Sequence, residues 1–343
     1  MTSFLRSDRS RAVAVWLFVV AAVVVAMVVV GGATRLTGSG LSITQWKPIA
    51  GVLPPLTPGD WQAEFSRYQA IPQFRLVNPH MTLGQFQVIY AWEWSHRLLA
   101  RILGLLFLAP FAWFALRREI PRRLWAQMAA IILLFALEPI VGWWMVASGL
   151  AERVSVAPER LALHLGIAFA LLGTLVWTAL DALAGSARQT LPSPWGRRAL
   201  GLVALLYLQV LLGALVAGNQ AGLVYNDWPL FNGHLLPQEY LGQGAWGTIA
   251  HSQGAVQLHH RLAAYLLAAV GLALGLGVWR SRYLPNGSKA LGLGVAVLVM
   301  AQAGLGIATL MAGTPIALGV AHQFTAALLL SLAVALAWRV RRV

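Results

Sequence analysis

Four histidines occupy matching places in the two halves of the chain: His96, His164, His260 and His322. Each lies within a strongly apolar stretch. The first of each pair opens the same string, His96-Arg97-Leu98 and His260-Arg261-Leu262. An imidazole inside an apolar membrane helix needs a partner or a metal, because nothing else at that depth satisfies its nitrogens. Two per half, repeated, point to two bis-histidine metal centres, for which haem is the leading candidate. Zinc and copper sites instead collect three or four ligands at one place. The chain has no cysteine, which excludes disulfides, thiolate ligation and covalent attachment of haem through Cys-x-x-Cys-His. Any haem is therefore held by axial ligands and packing. His259 adjoins His260 and stays an alternative ligand; neighbours on a helix point about 100° apart, so both cannot serve one axial position. The shared His-Arg-Leu string favours His260. His80, His234 and His251 fall in or beside outer loops and read as solvated.

The elements that must carry these residues follow from composition. The 343 residues are 59% hydrophobic and 10% charged, which is not the composition of a soluble domain. Eight apolar stretches, roughly 13–33, 86–116, 124–147, 159–184, 199–217, 254–279, 290–312 and 316–338, are long enough to cross a hydrocarbon core of about 30 Å. The first resembles a signal-peptide core but lacks a clear small-x-small cleavage site and is expected to be retained. The net charge of +14 is not a nucleic-acid signal. Sixteen of the 25 Lys and Arg fall in one alternating set of loops and tails, six in the opposite loops and three inside helices. That asymmetry is the positive-inside rule. It places both termini in the cytoplasm and the long loops 34–85 and 218–253 on the other face, in a multi-pass protein of the cell inner membrane.

The halves repeat. His96 to His260 and Gly142 to Gly306 are both offsets of 164, His164 to His322 is 158, and Gly32-Ala33 echoes Gly213-Ala214 at 181. Each half has four spans, an even number, so both insert with the same orientation. The expected fold is an all-α integral membrane protein, with eight transmembrane helices as two tandem pseudo-symmetric four-helix bundles. Its parts are an N-terminal half 1–185, a cytoplasmic linker 186–198 rich in Pro, Ser and Arg, and a C-terminal half 199–343. Four-helix bundles hold cofactors between facing helices. His96 can face His164, and His260 can face His322. Each is expected about 5–10 residues into its helix, roughly 8–15 Å deep at about 1.5 Å per residue.

One position breaks the symmetry with chemical effect. Glu93 precedes His96 by three residues, on the same helix face one turn toward the outer surface, and its counterpart is the uncharged Gln257. A carboxylate beside a histidine pair suits proton transfer or charge stabilisation; the alternative is a partner for Arg97 or Arg101. The asymmetry suggests a reactive site in the first half and a permanent cofactor in the second. Glu138, matched by Gln302, is a site-lining candidate. Arg35, Arg97 and Arg261 are candidates for haem propionates, with snorkelling or interhelical pairing as the alternative.

The combination of eight helices, duplicated halves, four matched histidines and Glu93-x-x-His96 resembles the heme A synthase family. The stretch Gly31-Gly32-Ala33-Thr34-Arg35-Leu36-Thr37-Gly38 and the segments Trp46-Lys47-Pro48 and Asn226-Asp227-Trp228-Pro229 are similar to that family as well. The resemblance covers nearly the whole chain and implies oxidation of the C8 methyl of haem O to the formyl of haem A. It implies that His96 and His164 hold the substrate haem, that His260 and His322 hold a resident haem b, and that Glu93 is the essential carboxylate. Haem O synthase and oxidase assembly factors are the implied partners, with membrane lipid around the protein, and a homo-oligomer is compatible. Some members carry a cysteine pair in the first outer loop; this chain would be of the cysteine-free type. The rival reading is a diheme b-type cytochrome relaying electrons from quinol. It leaves Glu93 against Gln257 without a reason. A transporter built from parallel repeats would carry no haem.

Overall fold

The computed structural model describes residues 2–184 and 193–341. Among them the only regular elements are helices: α1 (Thr2–Leu36), α2 (Pro58–Gln69), α3 (Pro72–Val77), α4 (Leu83–Leu116), α5 (Trp125–Ala147), α6 (Pro158–Ala184), α7 (Pro194–Gly218), α8 (Gly244–Ala250), α9 (Gln253–Arg280), α10 (Asn286–Met311) and α11 (Ile316–Val340), with three short 3-10 turns. Eight of them, α1, α4, α5, α6, α7, α9, α10 and α11, are long and apolar enough to cross a membrane. The expected spans agree with these within a few residues, except that α1 begins eleven residues before the expected start and α7 begins earlier, inside the expected linker. Ser193 caps α7, accepting a hydrogen bond from Trp195 N at 3.2 Å, and Pro194 occupies the first turn, where a missing N–H costs nothing. The rest of the expected linker, up to residue 192, lies outside the described residues.

Helices α1, α6, α7 and α11 pack on one another at the centre, with α4 on α1, α5 on α6, and α9 and α10 on each other and on α7 and α11. The apolar core follows them, with Leu17, Phe169, Leu175 and Leu336 fully buried. Pro110 and Pro139 sit inside α4 and α5, tolerated where surrounding helices relieve the broken ladder.

A small cap covers the outer end of the first four spans. Thr57 and Asp60 form a reciprocal capping box that starts α2, and Thr82 and Gln85 do the same for α4, satisfying N–H groups that a helix start leaves orphaned. Phe65, Tyr68, Phe86 and Tyr90 fill the space between them. Glu64 is tied to Arg67 at 2.7 Å and to Lys47 at 3.2 Å. Burial pushes its carboxyl up, but those two cations outweigh it and hold it below the usual carboxylate range; the Thr57 hydroxyl and N–H do the same for Asp60. A depressed carboxylate stabilises the folded cap above its unfolded value of about 4, and that contribution is lost as pH falls through the lower folded value. Amide exchange across 57–69, corrected for its intrinsic rate, is therefore expected to be flat between about pH 5 and 8 and to accelerate below about pH 4.

Candidate haem-binding site

Each of the four histidines faces a glycine on the neighbouring helix. A Cβ placed on Gly31 of α1 would come within 3.1 Å of the His96 ring, and one on Gly142 of α5 within 3.1 Å of His164. In the second half, Gly213 of α7 stands in the same relation to His260 at 3.1 Å and Gly306 of α10 to His322 at 2.8 Å. The same notch thus recurs four times, and only the missing side chain makes room for the imidazole. The contact also shifts the repeat register: the glycine structurally matched to Gly213 is Gly31, one residue before the Gly32 that the sequence echo pairs with it. Gly32 lies instead against Gln323 of α11.

His164, His260 and His322 are 6, 7 and 6 residues past the first residues of their helices. His96 is 13 past Leu83, because the first two turns of α4 belong to the outer cap. His96 and His164 lie within electrostatic reach of each other, as do His260 and His322. His259 turns the other way. Its Nε2 is 3.1 Å from Tyr240 Oη, with the rings edge to face, so its ring packs against the outer loop.

Polar side chains reach each pair and leave it incompletely satisfied. Glu138 Oε2 is 2.8 Å from His164 Nδ1, close enough for an ion pair though not aligned as a hydrogen bond, and Glu138 Oε1 has no partner. Its counterpart Gln302 places Nε2 3.3 Å from His322 Nε2 and donates to His322 O at 3.1 Å. Gln209 Nε2 is 3.0 Å from His260 Nδ1. Gln209 Oε1, Gln302 Oε1 and His322 Nδ1 are buried without partners. Unpaired groups of this kind cost about 1–3 kcal/mol each in a protein interior. Among the described residues no three His, Cys, Asp or Glu side chains converge, so the donor set is two imidazoles per half. That set, in notches free of Cβ atoms, fits a bis-histidine haem and does not fit a zinc or copper site.

One turn above His96, Glu93 is 3% exposed and its carboxylate is saturated. Oε2 accepts from Ser42 Oγ at 2.7 Å and Ile43 N at 2.8 Å; Oε1 accepts from Arg97 Nη2 at 2.6 Å and Nε at 3.1 Å. Arg97 also donates to the carbonyls of Ile43 and Gln45. The second half builds the same staple without the charge. Gln257 donates to the carbonyls of Ala221 and Tyr225 and accepts from Arg261 at 3.2 Å. Arg261 donates to Tyr225, Asp227 and Leu230 carbonyls and lies 4.0 Å from the Phe231 ring centre. Both arginines thus pin the outer loops to helices that carry histidines, a role the sequence did not disclose because the loop carbonyls carry no residue-type signature. Arg35 donates to Ala217 O and ties the end of α1 to that of α7.

The family model for cytochrome oxidase assembly proteins, COX15-CtaA, matches residues 14–334. The chain is 60% identical over 342 residues to a heme A synthase of Caulobacter sp. (strain K31) and 58% identical over 342 residues to that of Caulobacter vibrioides, with all of each chain covered. It is 46% identical to the heme A synthase of Maricaulis maris, over 98% of both chains. A family model that matches nearly the whole chain, together with relatives of this identity over their full length, shows that the chain belongs to the COX15-CtaA family of cytochrome oxidase assembly proteins.

Proposed function

We propose that this chain is a heme A synthase of the inner membrane, oxidising the C8 methyl of haem O to a formyl group by successive hydroxylation. Full-length likeness to proteins of that name supports the activity. The observation that carries the division of labour is Glu93 against Gln257. The two staples do the same mechanical work, and a glutamine suffices for it in the second half. The negative charge in the first half is therefore read as serving the chemistry as well as the loop.

In this reading residues 1–185 form the substrate half, with His96 and His164 as axial ligands of haem O. Residues 199–343 form the resident half, with His260 and His322 as ligands of one haem b, which supplies electron transfer when bound. Each half is read as a four-helix bundle. Glu138 is a positioning residue: its carboxylate, 2.8 Å from His164 Nδ1, would steady that ring for a bound haem. Glu93 accepts from three donor groups, so its part is to stabilise positive charge developing beside the methyl carbon rather than to sit as a free base. Arg97 and Arg261 set the loop walls over the two sites; the Arg261 Nε left without a partner is a remaining donor for a propionate. The weight of Arg on one set of loops supports cytoplasmic termini.

Two outcomes test this. Purified protein supplied with haem O should yield haem A by mass and absorption; recovery of haem O alone under oxidising turnover conditions would refute the activity. Gly306→Leu, which drives a side chain into the His322 ring, should remove the resident haem's absorption while leaving haem O binding in the first half. Loss of both haems together would refute the independence of the halves.

A further inference from the structure

Behind the loop staple of the first half lies a small polar cavity. Tyr90, Glu93, Arg97 and Arg101 follow one another along α4 at spacings of three and four residues, so they form one stripe under the outer loop. Arg101 donates through Nε to Pro48 O and through Nη2 to Lys47 O, each at 2.9 Å. Gly51 lets the loop close on the guanidinium: a Cβ there would fall 3.0 Å from Nη2. The third nitrogen, Nη1, is buried with no hydrogen-bond partner. Tyr90 is 6% exposed and sets its ring edge to face on Trp61 at 5.1 Å; its hydroxyl makes no hydrogen bond among the described residues. Both residues line one cavity, with Arg97, Lys47, Glu64 and Gln45, that leaves about 20 Å³ for the centre of a water molecule. A buried water needs about 10–15 Å³ and ~2–4 polar partners, and the cavity supplies both. It also lies between two carboxylates, because Tyr90 is within electrostatic reach of Glu93 and of Glu64. Glu64 is bound to Arg67 and Lys47, whose side chains are 34% and 40% exposed, and so stands at the edge of the outer solvent. At the offset of 164 the counterparts of Tyr90, Glu93 and Arg101 are Gly254, Gln257 and Tyr265. A Cβ on Gly254 would fall 2.5 Å from Glu239 O, so loop backbone stands close to the helix there. The hydroxyl and the carboxylate are thus lost together in the half assigned to the resident haem.

We propose that this cavity holds one ordered water, and that Tyr90 Oη, the water and Glu64 form a proton path between the region of Glu93 and the outer solvent. This rests on the reading of the first half as the site of haem oxidation. An electron that enters or leaves a buried site strands a charge there unless a proton moves with it, and an uncompensated buried charge is costly. Only O–H bonds are exchanged along the path, and nothing in it is oxidised or reduced. A proton reaching Tyr90 Oη from the site is matched by the phenolic proton passing to the water, by one from the water to Glu64, and by release from Glu64 to solvent. The same steps in reverse carry a proton inward. Burial raises the Glu64 carboxyl, but its two cations outweigh that and keep it below the usual range, so it passes a proton on instead of storing it. Arg101 is a positioning residue. Its Nη1 donates to one lone pair of the water, which leaves the other for Tyr90 and both O–H groups for acceptors such as Glu64.

The test compares wild type, Tyr90→Phe, Glu64→Gln and Tyr68→Phe in nanodiscs, each supplied with haem O and each carrying its second-half haem as the sign of folding. Tyr90→Phe removes only the hydroxyl. It should bind haem O as wild type does and form haem A at least about tenfold more slowly. Its solvent deuterium isotope effect should be larger by about twofold or more, because proton transfer becomes the slow step. Glu64→Gln should shift both quantities in the same direction. The Tyr68 hydroxyl, in the same cap, is satisfied by Gln73 and Asn78; Tyr68→Phe loosens the cap alone and should leave rate and isotope effect unchanged. A map of the wild-type protein that resolves ordered waters elsewhere in the cap should show one within hydrogen-bond distance of Arg101 Nη1 and Tyr90 Oη. Wild-type rate and isotope effect in Tyr90→Phe, equal changes in Tyr68→Phe, or no water between Arg101 and Tyr90 would overturn the path while leaving the enzyme reading intact. No haem A from wild type would overturn that reading, and this proposal with it.

Discussion

Glu93→Gln should leave both haem sites loaded and lower haem A formation by about 10²-fold or more, the size of effect seen when one fixed electrostatic partner of a transition state is removed. The substitution copies the second half, where Gln257 and Arg261 hold the loop without a carboxylate. Some loop support is lost, because an amide cannot accept from Ser42, Ile43 N and Arg97 together as the carboxylate does. That cost is on the order of 1–3 kcal/mol and should appear as faster amide exchange in 39–52, not as loss of haem. Glu93→Asp should recover part of the rate. The comparison separates charge from structure: if Glu93 only anchors the loop, the glutamine variant retains most activity and the two variants rank by loop exchange. Oxidation kinetics with haem content measured on the same samples decide between them.

His260→Ala and His96→Ala should have opposite effects on haem content. Removing His260 deletes one ligand of a two-ligand site and leaves His322 as the only donor there fit for iron, because the neighbouring Gln209 and Gln302 are amides. The resident haem should be lost outright, with haem O still bound in the first half and its oxidation stopped. His96→Ala should spare the resident haem and abolish haem O binding. Absorption spectra and pyridine haemochrome assays of each variant check the pattern. If either substitution empties both sites at equal protein yield, the assignment of one haem per histidine pair is wrong. His259→Ala should leave both haems in place, since its ring faces Tyr240 rather than the helix interior.

Much of this arrangement was legible in the sequence because membranes make simple demands. Apolar length set the eight helices, and the recurrence of His-Arg-Leu picked out His96 and His260. What the sequence could not show is contact between distant segments. The glycine notches are visible only once helices are paired, and the true partner of His96 is Gly31 rather than Gly32. Arg97, Arg261 and Arg35 carry the same charge as propionate-binding residues, but their guanidinium groups are turned to backbone carbonyls of loops and helix ends. Glu138 was visible as a carboxylate within an apolar helix, yet its approach to His164 depends on α5 lying against α6. The α7 boundary moved because Ser193 and Pro194 are a helix start as well as linker residues.

The most direct measurement is haem extraction with mass analysis of wild type, Glu93→Gln and His260→Ala, purified from cells that supply haem O. The account predicts haem b together with haem O or haem A in wild type, haem b with haem O and no haem A in Glu93→Gln, and no haem b in His260→Ala. Two haem b per chain in wild type and Glu93→Gln, with no haem A anywhere, would contradict it and leave an electron-relaying diheme cytochrome in its place.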